Sequence, residues 1–213
     1  MKNMNAAVKN SKPLPKTTST MQDTRICFIG DSFVNGTGDE MMLGWAGRLC
    51  AEARQQGHDI TYYNLGIRRH TSTDILQRWP ELALRQHPDS DNRIVLSCGV
   101  NDTMMENGAL RVDFETTIDN MRELFKRMES SPGLVVGPPP VGDAPQNQRI
   151  QTLSNAMQIE AETAGLPFIP LFDHLIQDSA YLAEIAKNDG AHPKSTGYNK
   201  IARIILDSEK WWF

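Results

Sequence analysis

The sequence predicts an α/β protein: a single domain in which a five-stranded parallel sheet is covered by helices on both faces. Two observations carry this expectation. Short apolar runs alternate with longer amphipathic stretches along most of the chain, in the order βαβαβαβαβα. Most of those runs also show little polar–apolar alternation, as expected of strands buried on both faces. The length of 213 residues suits one domain, whose core buries roughly 70% of the unfolded chain's surface without staples.

The expected strands are residues 25–29 (RICFI), 59–64 (DITYYN), 93–97 (RIVLS), 133–137 (GLVVG) and 167–171 (PFIPL). Each is rich in Ile, Val, Phe or Tyr and bounded by Gly, Pro, Asn or Asp. The first expected helix, 44–57, places Trp45, Leu49 and Ala53 four apart and ends at a C-cap candidate, Gly57. The second, 71–87, opens on capping hydroxyls and is split or kinked by Pro80. In the third, 113–133, Asp113 is the cap and Ile118, Met121, Leu124, Phe125 and Met128 share a face. Residues 147–165 and 195–212 complete the set.

Composition narrows the class. Hydrophobic residues make up 39% and charged residues 23%, with a formal net charge of −4, as in ordinary soluble domains. Without a basic stripe, nucleic acid and anionic membrane are not expected partners. No apolar run approaches the roughly 18 residues of a membrane span. Residues 1–22 contain four lysines, no acid and no apolar segment. They read as a disordered tail rather than a secretory signal, leaving 23–213 as the folded domain. Cys27, Cys50 and Cys98 are widely spaced and form no CxxC pair. That suits a reducing compartment, with the cytoplasm as the expected location.

In such a sheet, ligands bind beyond the carboxyl ends of the strands. Four segments place unusual polar residues there: Gly30-Asp31-Ser32, Asn64-Leu65-Gly66, Gly99-Val100-Asn101-Asp102, and Asp189-Gly190-Ala191-His192 before the last helix. A hydrolytic serine needs a base, a group to orient that base, and donors for an oxyanion. Ser32 fits the nucleophile, His192 the base, and Asp189, three residues earlier, the orienting group. The N–H groups of Gly66 and Ser32 and the side-chain amide of Asn101 fit the donors. Taken singly, each segment has a plainer reading: an Asx turn at Gly-Asp-Ser, capping at Asp189 and Asn101, a required turn glycine at 66.

The four segments in order resemble the sequence blocks of the SGNH, or GDSL, hydrolase superfamily of lipases and esterases, over residues 26–198. The resemblance implies a flavodoxin-like three-layer α/β/α sandwich and no metal or organic cofactor. It implies Ser32, Asp189 and His192 as the catalytic residues, and Ser32, Gly66 and Asn101 as the oxyanion hole. The implied activity is hydrolysis of small or short-chain acyl esters through an acyl-enzyme, with a small-molecule ester as the partner. Thioesterase, carbohydrate O-deacetylase and acyltransferase chemistry would use the same site. A flavodoxin-like binding module is the alternative without catalysis, although no GxGxxG or GxxxxGK[ST] loop is present.

Two positions depart from the family pattern. Phe33 follows the serine where the founding motif has Leu. Arg69 stands where the second block often carries a further glycine, beside Arg68 and His70.

Overall fold

The computed structural model describes residues 22–213; apart from residue 22, the expected tail lies outside the described residues. Strands β1 (Thr24–Gly30), β2 (Ile60–Gly66), β3 (Asp91–Ser97), β6 (Gly133–Val136) and β7 (Phe168–Ile169) form one parallel sheet in the order β2-β1-β3-β6-β7. Strands β4 (Met105–Glu106) and β5 (Ala109–Leu110) form a small antiparallel hairpin. After β1 the chain crosses to one side of the sheet, and after β3 to the other. The reversal therefore falls between these two strands, where α/β folds build ligand sites.

Successive side chains of a strand point to opposite faces, and β1 shows what that does. Ile26 and Phe28 enter one core with Trp45 and Leu49 of α2 (Gly44–Gln55) and Tyr198, Ile201 and Ile205 of α8 (Ser195–Leu206). Cys27 and Ile29 enter the other core. There they meet Ile75 of α3 (Ser72–Arg78), Met121 and Phe125 of α4 (Phe114–Met128), and Leu153 and Met157 of α5 (Ala144–Thr163). This is the expected three-layer sandwich. Pro80 acts as anticipated: α3 stops at Arg78 and a 3₁₀ turn, Trp79–Leu84, replaces the rest of the helix.

Other details differ. Helix α5 starts three residues earlier than expected, because Asp143 caps it by accepting from the Gln146 N–H and Pro145 sits in the first turn. Three short helices were not anticipated: α1 (Ser32–Asn35), α6 (Phe172–Leu175) and α7 (Ser179–Lys187). The last helix ends at Leu206, and the final residues fold back onto the body. Trp211 is buried there, and the Arg93 guanidinium lies 5.0 Å and 4.9 Å from the ring centroids of Trp212 and Phe213. All three cysteines are buried free thiols. Among the described residues, no helix is long and apolar enough to cross a membrane.

Candidate active site

Strand β1 delivers Ser32 to the carboxyl edge of the sheet. Gly30 ends the strand in contact with β3, where a Cβ would fall 2.0 Å from the Ser97 carbonyl oxygen. Asp31 then caps α1, its Oδ1 accepting from the Phe33 N–H at 2.9 Å. Ser32 occupies the first helical position, where a backbone N–H has no intrahelical acceptor. A small apolar cluster of Phe33, Val100, Val141, Ile150 and Phe172 packs around this turn.

His192 arrives from the loop between α7 and α8. Its Nε2 lies 2.7 Å from Ser32 Oγ and its Nδ1 lies 2.7 Å from Asp189 Oδ2. With Nδ1–H donating to the carboxylate, Nε2 is left as an acceptor for the serine hydroxyl. Asp189 Oδ1 accepts from the N–H groups of His192 and Ala191, which fixes the turn that presents the ring. The Phe33 ring lies 5.0 Å from the imidazole, centroid to centroid. Residues 160 apart in sequence therefore meet in the order hydroxyl, imidazole, carboxylate.

The electrostatics favour a neutral imidazole beside an ionised acid. Burial lowers the pKa of His192 below its ordinary value, against the pull of Asp189. Burial acts to raise the Asp189 carboxyl, but the donors from His192 and Ala191 outweigh it and hold the group at about 2. Asp31 goes the other way. It is buried, Oδ2 has no partner among the described residues, and desolvation pushes its pKa up to about 7 despite the Phe33 N–H.

The third and second segments are stitched together. Asn101 Nδ2 donates to the His70 carbonyl at 2.9 Å. Asp102 accepts from the Ser72 N–H at 3.0 Å and 3.1 Å and from the Ser72 hydroxyl, so it pins the start of α3 beside Asn101. Arg78 Nη2 donates to the carbonyls of Gly30 and Leu65, tying together the ends of β1 and β2. Its Nε donates to His70 Nδ1 at 3.1 Å. His70 is thereby committed to the loop, and it has no bond to Ser32.

One of the expected donors already has a partner. The Gly66 N–H, anticipated as an oxyanion donor, is already engaged: it donates to Asn64 Oδ1 at 3.0 Å, while Asn64 Nδ2 holds the Val34 carbonyl at 2.8 Å. Gly66 has a different reason to be glycine. A Cβ there would lie 2.1 Å from the Asn35 nitrogen and 2.7 Å from the Asp31 carbonyl oxygen, so the residue lets β2 pass directly against the serine turn. The left-handed position lies three residues on. Arg69 has φ 71°, a conformation that favours glycine. Its N–H has no acceptor among the described residues, and it directly precedes the residue whose carbonyl Asn101 grips. Arg69, Asn64 and Asp102 stood in or beside the segments singled out in the sequence, without an assigned role. The available signal was the glycine that the family pattern carries at the position of Arg69.

The segments after β1, β2 and β3 thus each offer a donor with no acceptor among the described residues: the Ser32 N–H, the Arg69 N–H and the second hydrogen of Asn101 Nδ2. A cavity of about 240 Å³, lined by Leu110, Val112, Phe114 and Leu153, opens beside Asp102 and Thr103. Met41 and Met42, which follow the serine turn, are exposed.

Comparison with known proteins bears on the family and the fold. The GDSL-like lipase/acylhydrolase family matches residues 28–200. No curated protein matches the chain by sequence. Among solved structures, a lipase/acylhydrolase from Enterococcus faecalis superposes with a TM-score of 0.73 at 23% identity, covering 87% of this chain and 95% of that one. A catalytic mutant of an acetylxylan esterase from Geobacillus stearothermophilus gives 0.71 at 18% identity, covering 86% and 92%. The esterase EstA from Pseudoalteromonas, inhibited by monoethylphosphonate, gives 0.67 at 19%, covering 88% and 97%. At these identities the superpositions show a shared fold.

Proposed function

The chain belongs to the GDSL-like lipase/acylhydrolase family, and from that premise we propose that it hydrolyses small acyl esters through an acyl-enzyme on Ser32. The observation that carries the reading is the pair of 2.7 Å contacts linking Ser32 Oγ, His192 and Asp189.

The chemistry follows from the geometry. Ser32 Oγ attacks the ester carbonyl carbon while its proton passes to His192 Nε2. Asp189 keeps Nδ1–H in place and stabilises the imidazolium. The carbonyl oxygen becomes an oxyanion and receives hydrogen bonds from the N–H groups of Ser32 and Arg69 and from Asn101 Nδ2. Collapse expels the alcohol, which leaves with the proton from Nε2. Water then attacks the acyl carbon, giving its proton to Nε2, and Ser32 is released with its hydroxyl restored.

The acetylxylan esterase among the structural relatives supports a short acyl group, such as acetyl, within this reading. A thioester, or an alcohol acceptor in place of water, would use the same groups. The three buried thiols support a reducing, cytoplasmic setting, and the net charge of −4 supports a small molecule rather than nucleic acid as the partner.

The pH dependence of ester hydrolysis tests the base. Only neutral His192 accepts the serine proton, and its pKa is lowered from 6.5. On p-nitrophenyl acetate, kcat/KM is therefore expected to keep more than half of its plateau value at pH 6.5 and to fall tenfold per pH unit well below the imidazole's midpoint. A profile flat from pH 8 to pH 4 contradicts His192 as the base.

A further inference from the structure

Building on the reading in which Ser32, His192 and Asp189 act together, we propose that Arg68 is the specificity-determining residue of this cleft. It selects esters that carry a carboxylate on their acyl or alcohol part.

Arg68 lies in the loop after β2, yet its Nη2 donates across the cleft to Asp189 Oδ2 at 3.3 Å. The same oxygen lies 2.7 Å from His192 Nδ1. The side chain is 61% exposed, and Asp189 is its only polar partner among the described residues. Most of the five N–H donors of its guanidinium fork are thus unengaged beside the reacting groups. The neighbouring cations differ. Arg69 donates to Glu106 at 2.8 Å, Arg78 is bound to two strand-end carbonyls and to Glu81, and Arg111 lies 3.6 Å from Glu106. Among these arginines, Arg68 is the one whose guanidinium lies against Asp189, the carboxylate behind the imidazole.

Its contact with Asp189 is suited to exchange. Charge-assisted N–H···O bonds normally measure about 2.7–2.9 Å, and exposed pairs contribute little. A substrate carboxylate, offering a bidentate acceptor, therefore displaces a weak contact rather than a strong one. The exchange also reaches the chemistry. The charged groups bearing on the imidazole are Asp189 from its own loop and Arg68 from the facing one. Asp189 favours the imidazolium and Arg68 opposes it. Drawing Arg68 onto the substrate leaves the carboxylate to His192 as the proton arrives, so a matching anion gains in turnover as well as in binding.

The test uses two matched substrate pairs: 4-acetoxybenzoate with its methyl ester, and monoethyl with diethyl glutarate. They place the anion on the alcohol side and the acyl side respectively. The wild type is expected to prefer the anionic member of at least one pair, a preference that shrinks as salt rises. Arg68→Gln is expected to lower that ratio of kcat/KM about tenfold, and Arg68→Lys to restore part of it. On the neutral ester, Arg68→Gln is also expected to move the acid limb up by about half a pH unit, because a cation facing the imidazole is gone. A wild type that prefers the neutral members, or a ratio and acid limb both unmoved by Arg68→Gln, overturns the proposal. Ser32→Ala on the neutral ester separates the two readings. Hydrolysis that survives it condemns the catalytic assignment, whereas a failure of the Arg68 proposal alone appears with Ser32-dependent hydrolysis intact.

Discussion

Replacing Ser32 by alanine is expected to lower kcat on a neutral acyl ester by about 10⁴–10⁶-fold, equivalent to about 5–8 kcal/mol of barrier. The size follows from what the change removes. Without Oγ there is no acyl-enzyme, and His192 Nε2 loses the hydroxyl that lies 2.7 Å away. What remains is the oxyanion cradle acting on direct attack by water. The fold has little reason to respond, because the cap of α1 comes from Asp31 and the apolar packing from Phe33 and Val34. Stopped-flow or discontinuous assays read the rate, and circular dichroism with a thermal melt reads the fold. Residual turnover within tenfold of wild type, in a folded variant, would remove Ser32 from the mechanism.

Asp189→Asn is expected to cost about 10⁴-fold in kcat with the fold retained. The amide oxygen of Asn still accepts from the backbone N–H groups that now bond to Oδ1, so the turn that presents His192 survives. What is lost is the charge behind Nδ1, along with control of the tautomer. The carboxylate sits at about 2, so it stays ionised across any practical assay range, and the deficit should be present throughout pH 5–9. A near-normal kcat in the folded variant would mean that another acceptor orients the imidazole.

Much of this arrangement was visible before the fold, for a physical reason. The central strands of a parallel sheet are buried on both faces, so β1 and β3 appear as unbroken apolar runs, and the polar residues after them stand out as strand-end chemistry. Ser32 and Asn101 stand out that way, whereas Asp189 and His192 stand out as an acid and an imidazole three residues apart ahead of the last helix. The elements missed are those whose signals are short. Helix α1 is four residues that read as a turn, and β4 and β5 are two residues each. Helix α7 had a usable signal that went unread: Asp178 caps it by accepting from the N–H groups of Ala180 and Tyr181, and Tyr181 and Ile185 are buried one turn apart.

Gly66 shows a different limit of local sequence. Sequence shows where a glycine stands, not which of its two advantages is in use. At Gly66 the missing Cβ permits a close approach to the serine turn, while the N–H is occupied by Asn64. At Arg69 the left-handed backbone is adopted by a residue with a full side chain, a strain of roughly 1 kcal/mol or more that no residue type announces. Two clamps hold that strained loop in place, Asn101 on the His70 carbonyl and Asp102 on Ser72. Both depend on contacts about 30 residues apart in the chain, beyond the reach of local patterning.

A carbonyl carbon attacked by Ser32 is expected to have its oxygen cradled by the N–H groups of residues 32 and 69 and by the amide of Asn101. A crystal structure of the protein inactivated by a small phosphonate ester tests this most directly, since the tetrahedral phosphorus imitates the intermediate. Phosphorus is expected on Ser32 Oγ, with the phosphonyl oxygen about 2.7–3.1 Å from those three donors and His192 Nε2 facing the departing group. Phosphorus on any other residue, or a phosphonyl oxygen turned toward the N–H of Gly66, would contradict it.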